Sequence, residues 1–446
     1  MARVKVSLCL IAKDEERMLP GCLESVRGVA DEIVLVDTGS TDRTRELARA
    51  AGARVLERPW DDDFAAPRNL AAAHATGDWI LPLDADERLA PAAGAALRRA
   101  LRGAAFDVGL VRCHNADAPD APAAEVLSGA RRAGPPALLP RVVRRAPGLR
   151  WAGRIHESVL DWAAARGGRI VPLDLDVVHL GYAKEIWDGR GKRARNLALL
   201  RRRAEEEPDS IIALGYLAAE LLALGQAEEA GEVADRAWAA LGRQPRHRSI
   251  RRLAVVRAAL AVRRGDAGAA REAVDRAEAA GGPNPDLAFF RACALELSAG
   301  GTGAPDRDER LARAAAELHR ALALLEGGVF EQVIYAQRAR VLARLGAVEL
   351  RAGRPQAARA ALRAARSPGR PADALPPPEA IEAAAGEAEA LVALGRAGEA
   401  LAAVEPALAG GGTPRAWAAA ARAAHALGAL DDARLFLARA RAAPAA

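Results

Sequence analysis

The sequence is poor in the residues that mark several protein classes. Of its 446 residues only four are cysteine (Cys9, Cys22, Cys113 and Cys293), far apart and without a C-x-x-C pair. That spacing excludes a disulfide framework and a zinc ribbon, and it fits a reducing, cytoplasmic location. Aromatic residues make up 4%, and despite a net charge of +6 no basic block of five or six residues occurs. Neither feature supports nucleic acid as a partner. Only four of the 64 cationic residues are lysine, so the positive charge is arginine spread along the chain. Nowhere do eighteen apolar residues run without charge, so no transmembrane segment is expected. The apolar run Val6–Ala12 ends at Lys13-Asp14-Glu15-Glu16, too short and too charged behind for a signal peptide. G-x-x-x-x-G-K-[ST], a G-x-G-x-x-G after the first strand and G-x-S-x-G are also missing, which removes support for an NTPase, a dehydrogenase and a serine hydrolase.

What is present divides the chain in two. Up to Tyr182, short β-rich runs (Val4–Ile11, Glu32–Val36, Trp79–Leu83, Val108–Arg112 and Ile170–His179) alternate with amphipathic stretches. One helix is expected from the Asp14–Glu16 cluster to Val26, and another from a Ser40-Thr41-Asp42 cap to Ala51. This alternation predicts an α/β, Rossmann-like domain with a mostly parallel sheet, whose ligands gather beyond the carboxyl ends of the strands. The domain is expected over residues 1–190, followed by a connecting helix at 191–207 and an all-α region at 208–446.

In that last region a glycine is followed five residues later by alanine at Gly225/Ala230, Gly265/Ala270, Gly353/Ala358, Gly395/Ala400 and Gly428/Ala433. Small residues recur seven positions before each glycine (Ala218, Ala258, Gly346, Ala388, Ala421) and twelve after (Ala237, Ala277, Ala365, Ala407, Ala440). These are the places where paired helices touch, and a degenerate further unit is expected in Leu287–Leu325. The pattern resembles tetratricopeptide repeats, stacked helical hairpins whose arrays bind peptides or protein segments. A structural role for the array, including a homodimer formed through the repeats, stays open.

Four D-x-D pairs occur: Asp61/Asp63, Asp84/Asp86, Asp174/Asp176 and Asp306/Asp308. Only Asp84-Ala85-Asp86-Glu87 follows an apolar strand that stops abruptly at carboxylates, the placement at which a divalent ion and a phosphate could sit. Asp61–Asp63 is expected to shape a loop before Phe64, Asp174/Asp176 to lie on one face of a strand, and Asp306/Asp308 to be solvated.

Four blocks then occur in order: Ser7–Glu16, Ile33–Asp42 with Asp37-Thr38-Gly39-Ser40, Phe64-Ala65-Ala66-Pro67-Arg68-Asn69, and Asp84–Glu87. Together they resemble family 2 glycosyltransferases of the GT-A fold. Within that family they are most similar to the bacterial branch of lipopolysaccharide-core glucosyltransferases and sublancin-type S-glycosyltransferases. The similarity spans about Val4–Tyr182 and weakens between Asp117 and Leu149.

The resemblance implies a UDP-sugar donor, with Ala12 and Lys13 lining the nucleobase pocket and Asp37 bonding uracil or ribose beside Thr38 and Ser40. It also implies Arg68 facing the nucleotide or diphosphate, Asn69 supporting the loop, Asp84 and Ala85 at the ribose or the metal's water shell, and Asp86 as ligand of Mn²⁺ or Mg²⁺. His179, ending a strand in His-x-Gly-Tyr, is a further metal or diphosphate ligand by family precedent. In Trp151-Ala152-Gly153-Arg154-Ile155-His156-Glu157, the tryptophan could stack on a sugar and Arg154 supplies a cation. Glu157 is expected to be the base of an inverting transfer, with His156 as its competitor.

The function expected is thus metal-dependent transfer of glucose or another hexose from a UDP-sugar to a peptide, protein or glycan acceptor. One rival reading is an interaction scaffold whose front domain has lost its chemistry; the intact Asp37, Asp84, Asp86 and Glu157 count against it. Nucleotidyl transfer would call for a glycine-rich loop where Ala12–Glu16 stands.

Overall fold

The structure, a computed structural model, describes residues 3–181, 192–242, 249–327, 335–367 and 374–443. Tyr182 and the stretch expected to end the first domain, 182–191, lie outside the described residues. The chain forms two compact units that divide at Leu221/Leu222.

The first unit is built on an eight-stranded sheet. Its strands are β1 (Val6–Ala12), β2 (Glu32–Asp37), β3 (Arg54–Glu57), β4 (Trp79–Asp84), β5 (Glu87–Leu89), β6 (Val108–Asn115), β7 (Ala137–Arg144) and β8 (Ile170–His179), in the order β3-β2-β1-β4-β7-β6-β8-β5. Strands β3, β2, β1 and β4 pair in parallel. Strand β7 runs antiparallel to both β4 and β6, β6 pairs parallel with β8, and β5 closes the far edge antiparallel to β8. The sheet is therefore mixed: four of its seven strand pairings are parallel, in keeping with the sequence pattern, and three are antiparallel. The antiparallel pairings all involve β5 or β7, neither of which lies among the β-rich runs of the sequence. Strand β7 contains Pro140, and the sheet accommodates it at a register shift between Gly109 and Leu110 of β6, where a lost ladder bond is tolerated.

Helices α1 (Leu19–Ser25), α2 (Thr44–Ala50), α3 (Ala65–His74), α4 (Ala93–Leu101), α5 (Ala123–Ser128) and α6 (Leu160–Ala165) accompany the sheet. One core cluster gathers Leu8, Leu10, Leu19, Leu35, Leu81, Leu83 and Leu97, and a second gathers Cys9, Val34, Val36, Ile80, Val143 and Trp151. Alternate residues of β1 and β2 thus serve opposite faces, as the pleat requires.

Helix α1 starts later than its acidic cluster suggested. The amides of Asp14, Glu15 and Glu16 bond to Ser40 Oγ (2.9 Å), Thr44 Oγ1 (2.7 Å) and Asp42 Oδ2 (3.0 Å), and Asp14 itself sits at φ 53°. Those donors tie two loops together instead of opening a helix. Two further helices, α7 (Lys192–Glu206) and α8 (Ile211–Ala223), lead into the second unit.

The second unit is all helix, from α9 (Ala227–Leu241) through α10 (Ile250–Arg263), α11 (Ala267–Gly281), α12 (Pro285–Ser298), α13 (Arg307–Gly327), α14 (Arg338–Arg351), α15 (Pro355–Arg366), α16 (Pro377–Ala393), α17 (Ala397–Ala409) and α18 (Pro414–Ala426) to α19 (Leu430–Ala442). Successive pairs from α10/α11 to α18/α19 pack as hairpins, the architecture of tetratricopeptide-like repeats. The repeat glycines have positive φ, from 70° at Gly353 to 79° at Gly225 and Gly428, the left-handed cap that ends a helix at low steric cost. Every alanine five residues on is buried, as are nine of the ten flanking small residues; Ala440 is partly exposed. The degenerate unit expected in Leu287–Leu325 is the hairpin α12/α13.

Candidate functional site

The parallel register places the site. Ala12 pairs with Asp37 and Ile11 with Asp84, so the two aspartates flank the carboxyl end of β1. Asp37 is 1% exposed. Its Oδ1 accepts from the amides of Ser40 (3.0 Å) and Gly39 (3.2 Å), with Arg45 Nε at 3.9 Å, while Oδ2 is buried with no hydrogen-bond partner. A buried acceptor left unpaired costs about 1–3 kcal/mol, so it calls for an explanation.

Next to Asp37, Thr38 donates from its amide (2.9 Å) and its hydroxyl (3.2 Å) to Ala12 O, and Ser40 Oγ accepts from Asp14. Both side chains hold the two loops in place. Ala12 is buried, and Lys13 is exposed at the edge.

Arg68, on the first turn of α3, joins residues far apart in sequence. Its Nη2 donates to Asp84 Oδ1 at 2.6 Å and its Nε to Glu157 Oε1. The second oxygen of Asp84 accepts from Arg141 Nη2 at 3.2 Å, and Arg141 also grips Glu87 with two bonds of 2.9 and 2.7 Å. Asp84 amide donates to Glu87 Oε2 at 3.1 Å. The result is a chain of alternating charge, Glu157–Arg68–Asp84–Arg141–Glu87, reaching from the end of β4 into the sheet. Burial works against the charge of Asp84, but Arg68 and Arg141 outweigh it and hold its carboxyl well below the usual carboxylate range. Burial likewise opposes both guanidinium charges, and the carboxylates raise both pKa values above the ordinary arginine value.

Asp86 lies beside His179, with Oδ1 3.6 Å from Nε2. His179 Nδ1 is 2.8 Å from Asn115 Oδ1. That amide oxygen accepts from Nδ1, which leaves Nε2 facing the Asp86 carboxylate. Burial disfavours protonation of His179, yet Asp86, Glu87 and Asp84 raise its pKa above the ordinary imidazole value. Gly181 is packed close beneath: a Cβ there would lie 1.8 Å from Asp86 Oδ2. Asp86 and His179 suit a hard divalent ion that takes one or two protein ligands and fills its other positions with water and phosphate oxygens. Asp84, expected to share that duty, has both oxygens taken by arginines. Among the described residues no group of three or more metal-binding side chains converges.

Three residues of the 151–157 segment differ from expectation. Trp151 is 4% exposed, with its ring in the core and not open to a sugar, and Asn69 clamps its backbone through Nδ2 to O (2.9 Å) and N to Oδ1 (2.8 Å). Arg154 is turned to Glu206 and to the carbonyls of Asp61 and Asp62. His156 is exposed at φ 52°, stacked on Tyr216 with ring centroids 3.8 Å apart, whereas Glu157 points to Arg68. Ala85 is buried in the turn between β4 and β5.

The remaining D-x-D pairs are structural. Asp63 Oδ1 accepts from the amides of Ala65 and Ala66 at the start of α3, Arg112 bridges Asp174 and Asp176, and Asp306 and Asp308 are exposed. Glu87, Arg141 and Asn115 carry no motif of their own that marks them as part of the site. Glu87 adjoins the acidic motif, but Arg141 stands in the stretch where the resemblance is weakest.

These features define an α/β domain that concentrates paired charge and one unsatisfied carboxylate at the carboxyl edge of its sheet. Residues 7–133 match the model of glycosyl transferase family 2, and the N-terminal domain is a domain of that family. A TPR repeat-containing protein of Synechococcus elongatus is 41% identical over 202 residues, 44% of this chain and 46% of that protein. An uncharacterized glycosyltransferase of Rickettsia typhi is 36% identical over 85 residues, 19% and 29% of the two chains. The SPbeta prophage-derived glycosyltransferase SunS of Bacillus subtilis is 24% identical over 223 residues, half of each chain. The chain thus spans half the length, or less, of these relatives. Among the described residues no helix is long and apolar enough to cross a membrane.

Proposed function

We propose that the chain transfers a hexose, glucose or a relative, from a UDP-sugar to a peptide, protein or glycan acceptor, with inversion at the anomeric carbon. The observation that carries this reading is the Arg68 bridge, which gathers Glu157 and Asp84 at one sheet edge, Arg68 and Asp84 lying within the stretch that matches family 2. A uracil N–H or a ribose hydroxyl would satisfy Asp37 Oδ2. Arg68 would offer its guanidinium to the diphosphate while keeping Asp84 ionised.

Asp86 and His179 would hold Mn²⁺ or Mg²⁺, which supplies charge neutralisation on the departing diphosphate; the imidazole favours manganese. Glu157 takes the acceptor's proton as the acceptor atom bonds to the anomeric carbon and the bond to UDP breaks. The geometry favours Glu157 over His156 as base, because Glu157 shares Arg68 with Asp84 whereas the His156 ring lies on Tyr216. The domain boundaries expected near residues 190 and 208 are retained as part of this proposal, with the helical repeats as the candidate acceptor-holding or self-associating region.

The test is incubation of the purified chain with individual UDP-sugars and Mn²⁺, scoring UDP release and, with peptide or glycan acceptors, the added hexose mass. Release from at least one UDP-sugar is expected. None from any would overturn the reading.

A further inference from the structure

The Glu157 loop rests on residues outside the expected glycosyltransferase domain. Residues 152–158 close on themselves through reciprocal backbone bonds of 3.0 Å between Ala152 and Ser158. Inside this small loop His156 is held at φ 52°, a left-handed conformation that is unfavourable for a residue with a side chain and persists only where the surroundings enforce it. The enforcing groups come from α7, its C-terminal flank and α8. Arg203, 4% exposed, donates to Ile155 O at 2.6 Å and reaches His156 O at 3.5 Å, while Glu207 steadies its guanidinium. Gly153, at φ 100°, leaves room for that guanidinium: a Cβ there would lie 2.3 Å from Arg203 Cζ. Tyr216 stacks on the His156 ring with planes 8° apart, and Glu206 pairs with Arg154.

The same helix also borders the segment that leads into α3 and Arg68. Arg195 lies 5.5 Å over the Phe64 ring, and the Phe64 amide donates to Arg154 O at 2.8 Å. Both partners of the Arg68–Glu157 pair therefore lie next to segments braced by α7.

We propose that Arg203 and Tyr216 are positioning residues for sugar transfer, fixing the strained 152–158 loop so that Glu157 meets Arg68 and the acceptor. This rests on the reading of Glu157 as the base. It makes α7 and the start of α8 part of the transfer site as well as a link to the repeats. Misplacing a catalytic group by about 1 Å can cost a hundredfold in rate, which sets the scale of the expected effect.

The experiment compares the full chain with Arg203→Ala, Tyr216→Ala and Tyr216→Phe, measuring turnover of UDP-sugar, UDP affinity and hydrogen exchange of the Ala152 and Ser158 amides. Expected are a fall in kcat of about ten- to a hundredfold for both alanine variants, UDP affinity near that of the parent, and faster exchange confined to residues 152–158. Tyr216→Phe, which keeps the stack, should recover most of what Tyr216→Ala loses. Undiminished kcat, unaltered exchange, or parallel loss of kcat and UDP binding would each overturn the positioning role. Absence of turnover in the parent chain would instead defeat the functional reading, and this role with it.

Discussion

Replacing Arg141 by leucine isolates the charge chain behind the site. Arg141 is the only partner among the described residues that meets Glu87 with two charge-assisted bonds, and Glu87 is 1% exposed. Its removal leaves Glu87 with the Asp84 amide as its remaining strong donor and strips one of two cations from Asp84. Breaking a buried pair from one side costs about 3–5 kcal/mol. For a unit of this size each kcal/mol moves the transition by about 2–4 °C, so the first unit should melt roughly 6–20 °C lower. Replacing both members by leucine removes the uncompensated charge, and the double variant should be more stable than Arg141→Leu alone. Differential scanning calorimetry of the parent, both single variants and the double closes the cycle. A loss below about 1 kcal/mol for Arg141→Leu, or a double variant whose loss equals the sum of the singles, would refute the reasoning.

Glu157→Gln should leave UDP binding intact and cut turnover by a hundredfold or more, on the order of what a positioned base contributes; stopped turnover assays beside calorimetric UDP titrations check this. In the repeats, a Cβ at Gly346 would lie 2.3 Å from Leu362 Cγ, so Gly346→Val should destabilise the helical unit by about 1–3 kcal/mol, read as a lowered denaturation midpoint. Acid should weaken the first unit through Glu32. Burial opposes its charge, but hydrogen bonds from Ser7, Thr76 and Gly77 outweigh it and hold its carboxyl below the ordinary 4.5. A depressed folded-state pKa stabilises above the unfolded value and is lost as pH falls through the folded one. Stability measured from pH 6 to about pH 3 should therefore fall less steeply in Glu32→Gln than in the parent.

The sequence was most legible where one residue type has one physical use. Strands β1, β2 and β4 are continuous apolar runs, and each stops at a residue of the site. The repeat glycines mark helix ends because only glycine takes that backbone angle cheaply, and their alanine partners mark helix contacts. Illegible were the short strands β3 and β5 and the proline-bearing β7, whose pairing is set by neighbours remote in sequence. Arg141 was missed for the same reason: its role exists only once β7 lies beside β4.

In the 151–157 segment, composition pointed to the right place but not to the right duties. Tryptophan and arginine suggested ligand contacts, yet burial claimed the ring of Trp151 and Glu206 claimed Arg154. Position relative to a folded neighbour, which spacing does not encode, decided those roles. The same holds for the four D-x-D pairs, of which only the one ending a buried strand reaches the site.

The central claim is donor use through Asp37, Asp86 and His179. Its most direct measurement is UDP binding by calorimetry with and without Mn²⁺, for the parent chain and for Asp86→Ala. Metal-enhanced binding is expected in the parent, with loss of that enhancement in Asp86→Ala. No binding of UDP by the parent, or an equal response to Mn²⁺ in both proteins, would contradict it.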